Sequence, residues 1–248
     1  MSETSEGLIV PRRRRTDPEI GPIALMVAME KDVALMRRST GISGKAAGRI
    51  LTSRVFTERQ SGRQVTVVGP MLGAPHAVMV LEKLVALGAK KMVFLGWCGS
   101  IDPRVAIGDL VIPDHAVVGE GTSKYYAKNK SHVPSRGSAA IRKVLEEHCD
   151  KHGVMFHKGG VWSTDAPYRE TEEVVRSLKE AGLLGVDMET SALFTAGCFR
   201  GIDIGALLVV SDALGALIWE PGFSSRKFLA ARKAACEILA DSCAALSL

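Results

Sequence analysis

Three stretches of this chain are apolar almost from end to end: Ile23 to Ala28, Lys91 to Leu95 beyond its lysine, and Ile204 to Val210. A strand with one wet face alternates polar and apolar residues, so a strand without a polar face is predicted to be buried on both sides. Segments with helical spacing separate these runs: Lys31 to Arg38, His76 to Leu87 closed by Gly88, Ser138 to His152, Glu170 to Ala181, and the long Ala-rich Ser224 to Leu246. Further strands are expected at Gln64 to Val68, from Gly108 through Pro113, and at Gly160 to Ser163. Residues 41–61, with Arg49, Arg54 and Arg59, read as strand or loop, and Tyr125 to Gly137 as polar loop. Doubly buried strands alternating with helices predict an α/β fold, with one mixed, largely parallel central β-sheet wrapped by helices. The expected organisation is a flexible N-terminal arm over residues 1–20 and one domain over 21–248. No internal repeat is present.

A chain of 248 residues with 46% hydrophobic content can bury a large core. Its net charge of +5 includes Arg12-Arg13-Arg14-Arg15, a short basic run in a polar arm, which reads as solvated, so no nucleic-acid partner is inferred. The arginines lead into Thr16-Asp17-Pro18-Glu19 rather than an apolar stretch, and the run from Ile20 to Met29 is too short to span a bilayer. A cytoplasmic protein without a membrane partner is expected. The five cysteines, Cys98, Cys149, Cys198, Cys236 and Cys243, show no CxxC spacing, which argues against a disulfide framework or a zinc ribbon. His148 and His152 flank Cys149 among charged neighbours and read as a solvated helix end, so no metal is assigned.

In open α/β sheets, ligands collect at the carboxyl ends of strands. Three segments are expected there: Gly96-Trp97-Cys98-Gly99-Ser100, the Asp187 and Glu189 pair before an apolar helical pattern, and Ser211-Asp212. Glu189 alone reads equally as an acidic helix start, where free backbone N–H groups and the helix dipole hold a carboxylate ionised. Convergence with the other two segments favours a site. Gly69-Pro70-Met71-Leu72-Gly73-Ala74-Pro75 is a turn where small residues let backbone approach backbone or ligand. Its spacing is not GxGxxG, which argues against a dinucleotide fold.

The ordered set Ala28-Met29-Glu30-Lys31-Asp32-Val33, Gly69 to Gly73, Gly96 to Ser100, Gly108-Asp109, Ser163-Thr164-Asp165, Val186-Asp187-Met188-Glu189 and Val210-Ser211-Asp212 resembles the nucleoside phosphorylase and nucleosidase superfamily. The likeness covers nearly all of residues 22–246. It implies cleavage of a ribosyl C–N bond through an oxocarbenium-like transition state, without cofactor. It also implies a homo-oligomer built from dimers, either a dimer or a trimer of dimers, with a small-molecule nucleoside as partner. By resemblance Glu189 binds the ribose hydroxyls and Met188 packs on the sugar, while Asp212 protonates or hydrogen-bonds the departing base. Such assistance is worth about 10²- to 10⁴-fold, and an acid at that position tilts the expectation toward purines. Trp97, Cys98, Gly99, Thr164, Tyr168, Arg169 and Ser211 are the candidate base-binding residues. Trp97 also reads as a core tryptophan, Arg169 as one half of a surface ion pair, and Trp219 as part of a lid.

Where phosphorylases carry two arginines and a hydroxyl for phosphate, the matching positions are Asp32, Phe94 and Trp97, none of which binds a dianion. The Ala28 to Val33 segment instead resembles nucleosidases, with Asp32 at the water-activating position and Glu30 in support. The expected reaction is therefore hydrolysis by a nucleosidase. The alternative is a phosphate-dependent phosphorylase of uridine or purine nucleosides with a divergent phosphate site, to which a neighbouring subunit lends Arg49 and which the resemblance of Ser163 to Glu170 to a pocket segment of uridine phosphorylase-like members favours. A nucleoside-binding protein without turnover is another.

Overall fold

The computed structural model describes residues 7–60, 63–127 and 135–246; the polar loop expected over 125–137 lies partly outside them. In chain order the elements begin with β1 (Ile23–Val27), α1 (Glu30–Ser39), β2 (Gly48–Ile50), β3 (Ser53–Gln60), β4 (Arg63–Gly69), α2 (Ala74–Leu87), β5 (Lys91–Ser100) and β6 (Leu110–Gly119). They continue with β7 (Ser135–Arg136), α3 (Ala139–Lys151), β8 (Phe156–Thr164), α4 (Glu172–Glu180), β9 (Gly185–Asp187), α5 (Thr190–Arg200), β10 (Asp203–Ala213), β11 (Glu220–Pro221) and α6 (Arg226–Leu246).

The apolar runs are the sheet's centre. Every residue of β1 is buried, as is β10 from Ile204 to Ser211. Parallel pairings join β4, β1, β5 and β10, and likewise β6, β8 and β9. Antiparallel pairings add the β2–β3–β4 meander and the β10–β6 and β5–β9 contacts. The α/β fold with a mixed central sheet is thus present, and its antiparallel share lies in the β2–β3–β4 meander and in the β10–β6 and β5–β9 contacts, which the apolar runs alone do not announce. Helices cover both faces. α2 and α5 pack Leu81, Leu84, Leu193 and Phe194 against one side. Across the sheet, α1, α3 and α6 contribute Met36, Leu145, Phe228 and Leu239.

Gly88 ends α2 in the left-handed region at φ 108°, with its N–H reaching the carbonyls of Leu84 and Val85, as its place after the helical pattern predicts. α4 starts later than the sequence suggests, because Pro167–Arg169 forms a 3-10 turn and the Thr171 side chain caps the helix by accepting from the Val174 N–H. Of the N-terminal arm, residues 7–20 contain no regular element. They are nevertheless tied down: Lys83 donates to the Arg12 carbonyl at 2.6 Å and pairs with Asp17 at 2.5 Å.

One strand positions the site. The first half of β5 lies between β1 and β10, with Leu95 the last residue paired to β1. Its tip then pairs with β9, Gly99 with Val186 and Ser100 with Gly185. β5 therefore changes neighbours at residues 96–98, and the sheet opens there. Gly185 permits the new contact, since a Cβ on it would stand 2.8 Å from the Gly99 carbonyl oxygen. In β10 the register against β5 slips between Val210 and Asp212, leaving Ser211 as an extra, bulged residue. Bulges re-aim side chains, and this one turns Asp212 toward the opening.

Candidate active site

A cavity of about 540 Å³ occupies the opening. Its floor comes from the tip of β5, where Trp97, Cys98 and Gly99 line it. The β9–α5 junction supplies Asp187, Met188 and Glu189, and the bulge of β10 supplies Ser211 and Asp212. Tyr168, Glu170, Trp219 and Phe223 reach the wall from loops.

Glu189 precedes the first turn of α5, but the residue that caps that helix is Asp187. One Asp187 oxygen accepts from the Thr190 N–H at 2.9 Å and the Glu189 N–H at 3.3 Å, and the other accepts from the Ser163 hydroxyl. The Glu189 side chain makes no cap bond. It accepts instead from the Gly73 N–H at 2.6 Å, across from the Gly-rich turn. Gly73 has φ 77°, a conformation that favours glycine. Here the structure corrects the sequence reading, in which the helix start keeps Glu189 ionised. At 4% exposure, burial and the Asp187 charge push its pKa up to about 8, against the pull of the Gly73 N–H. Burial also raises the Asp187 carboxyl, opposed by its Ser163 and Thr190 hydrogen bonds. A buried carboxyl aimed into a cavity is satisfied by hydroxyl donors, and vicinal diol hydroxyls fit that need.

Asp212 accepts from the neighbouring Ser211 hydroxyl at 2.5 Å and from the Trp219 indole N–H at 2.9 Å. Trp219 is exposed and sits on the loop after β10, its ring tilted at 55° to that of Phe223, which in turn approaches Trp97. Sequence reading places Glu170 at the end of the Ser163 to Glu170 pocket-like segment but gives it no role. It stands on the wall with a pKa raised to about 7 by burial and by the Asp212 charge. Its only sequence signal is its place after the Tyr168-Arg169 pair.

The nucleophile positions differ most from expectation. Asp32 is 1% exposed and does not line the cavity. One of its oxygens is taken by Arg232 of α6, from Nε at 2.7 Å and Nη2 at 2.6 Å, and the other by the Trp97 indole N–H at 2.6 Å. The expectation that Asp32 orients a water is corrected accordingly, because the carboxylate faces a guanidinium inside the protein. Glu30 turns away to pair with Arg54. Arg49 lies on β2 and lines a separate cavity with Arg12, Arg13 and Lys83. Thr164 is buried and accepts from the Ala166 N–H, and Arg169 projects from the 3-10 turn; neither lines the first cavity. Tyr168 does, at its mouth, fully exposed. Phe94 is core, at 0% exposure. Arg232, 200 residues from its partner, could not be found by spacing.

Among the described residues, no group of three or more His, Cys, Asp or Glu is placed to hold a metal ion. No helix among them is long and apolar enough to cross a membrane.

Fold and cavity together define an α/β protein with an acid-walled cavity at the point where β5 exchanges β1 for β9. The family model of the phosphorylase superfamily matches residues 22–245, and the chain belongs to that superfamily. It is 29% identical over 160 residues to a DeoD-type purine nucleoside phosphorylase of Caldanaerobacter subterraneus subsp. tengcongensis, covering 64% of this chain and 68% of the relative. A Bacillus cereus protein of the same name is 29% identical over 158 residues, 63% and 67% of the two chains. The crystal structure of a uridine phosphorylase from Vibrio fischeri ES114 superposes with a TM-score of 0.78 over 91% of this chain and 93% of the other, at 24% identity, which shows the shared fold. Membership supports an enzyme that cleaves nucleoside glycosidic bonds, a class that needs no cofactor and uses phosphate only as co-substrate.

Proposed function

We propose that this protein cleaves the bond between ribose and base in a nucleoside, with purines the favoured class and phosphate the acceptor. The observation that carries the reading is that Glu189 and Asp212 reach one cavity from two different elements, and Met188 and Trp97 line the same cavity. In this reading Glu189 grips the ribose hydroxyls, and their donation favours its ionised form. The carboxylate then stands beside the positive charge that develops on the sugar, where fixed electrostatics contribute most to catalysis. Met188 packs on the ribose, Trp97 with Cys98 and Gly99 forms the apolar floor, Ser211 holds Asp212, and Asp212 assists the departing base. Tyr168 covers the base from the mouth. Phosphate as acceptor is supported by the DeoD-type purine nucleoside phosphorylases among the relatives. It requires a cation at the cavity, either Arg232 released from Asp32 or an arginine such as Arg49 from a second subunit of a homo-oligomer.

A second reading, with water as acceptor, is favoured by one observation. The described residues on the wall include four carboxylates, Glu170, Asp187, Glu189 and Asp212, and no lysine or arginine. A panel of purine and pyrimidine nucleosides, assayed with and without phosphate, decides between them. Strict phosphate dependence with ribose 1-phosphate as product is expected. Free ribose at equal rates in both buffers would replace the phosphorylase by a nucleosidase, and saturable binding without turnover would remove the enzymatic reading.

A further inference from the structure

Two carboxyl groups on the cavity wall, Glu170 and Asp212, differ in their surroundings. Asp212 accepts from Ser211 and Trp219, one donor on each oxygen, and a carboxyl so held is arranged as an acceptor. Glu170 enters the same cavity from the turn before α4. Its backbone is fixed by the Glu170 N–H donating to the Pro167 carbonyl at 3.3 Å. Paired titratable groups whose environments differ divide into one that keeps a proton and one that does not.

We propose that Glu170 is the group that hands a proton to the departing base, while Asp212, with a donor already on each of its oxygens, orients the base. This rests on the glycosidic-cleavage reading of the site and adds a catalytic residue to it. In the step itself, the C1′–N9 bond of the purine breaks and its electron pair remains on the base. The Glu170 O–H proton passes to N7, leaving a glutamate carboxylate, and the sugar cation takes the acceptor oxygen. Glu170 is partly exposed, so solvent restores its proton. A pKa raised to about 7, by burial and then by the Asp212 charge, keeps a large share of Glu170 protonated at neutrality. The charged groups around it are Asp212 on β10, Asp187 and Glu189 on the same cavity wall, and Arg169 and Glu172 flanking it in the chain.

The test compares inosine with 7-methylguanosine, whose base already carries a positive charge and leaves without a proton. Glu170→Gln is expected to slow inosine cleavage by about 10²-fold or more and 7-methylguanosine cleavage by far less. The fall in inosine activity as pH rises through about 7 should vanish in the variant, and Glu170→Asp should recover part of the rate. In Asp212→Asn the same fall should move to lower pH, because the charge that helps hold the Glu170 proton is gone. Equal slowing of both substrates by Glu170→Gln, with the pH profile intact, would overturn the proposal and leave the glycosidic reading standing. Wild-type protein that cleaves neither nucleoside would remove that reading and the proposal with it.

Discussion

Asp32 owes its character to its partners. Next to Arg232 and Trp97, with 1% of its surface exposed, it forms a buried ion pair whose pKa is pushed upward by burial and pulled back by the guanidinium. Removing one member of such a pair leaves the other charge buried and alone, at a cost of about 3–5 kcal/mol. Asp32→Asn should lose stability of that order in equilibrium denaturation. The joint change of Asp32→Leu with Arg232→Met should recover most of it, since apolar replacement of a whole pair is often neutral. An unchanged midpoint for Asp32→Asn would show that the pair holds nothing in place. The acid itself was legible, because Ala28-Met29-Glu30-Lys31-Asp32 follows an apolar strand. Its role was not, since Arg232 lies on a helix 200 residues away and sequence spacing carries no such contact. Asp187 and Glu189 show the same limit at closer range. Both acids were visible at a helix start, but which of them caps and which faces the cavity depends on Ser163 and Gly73, brought in from elsewhere.

Among the elements, β5 and β10 do most to make the site. Their existence follows from continuous apolar sequence, and their parallel pairing follows from burial on both faces. The change of neighbour at the tip of β5 and the bulge at Ser211 do not, because both arise from register between distant segments. Glycine gave the one local hint. Gly185→Ala puts a Cβ at 2.8 Å from the Gly99 carbonyl, so backbone rather than a flexible side chain must move. β9 would then be displaced together with Asp187 and Glu189. The expected outcome is a loss of about 1–3 kcal/mol and at least a tenfold drop in kcat/KM; near-wild-type kinetics would mean that the β5–β9 contact does not position Glu189. Gly201→Ala serves as the comparison. Its φ of 65° is strained for alanine, yet a Cβ there meets nothing within 4 Å, so stability should fall by about 1 kcal/mol with activity kept.

The whole molecule collects buried or half-buried acids whose folded pKa values are raised: Glu189 to about 8, half-buried Glu170 to about 7, and Asp187 and Asp32 upward, in each case chiefly through loss of solvent. A raised acid binds its proton more tightly folded than unfolded. Between its ordinary value and its folded value the native state therefore holds more protons, and stability falls as pH rises through that window. For Glu189 the window runs from 4.5 to about 8. Denaturation of the unliganded protein should show lower stability at the upper end than at the lower, and Glu189→Gln should flatten the slope; stability that climbs across this range would contradict the burial of these groups. Three of these acids, Glu170, Asp187 and Glu189, stand on the cavity wall together with Asp212 and without a cation among the described wall residues, which has a consequence for what can enter. That wall gains negative charge as Glu170 and Glu189 lose their protons at about pH 7 and about pH 8, so away from the cation that the acceptor phosphate requires, a nucleotide's doubly negative 5′-phosphate meets a growing field of its own sign, whereas the uncharged nucleoside does not. The site thus sorts by charge before it reads the base, and nucleoside monophosphates should compete poorly with their dephosphorylated counterparts, the more so at low ionic strength.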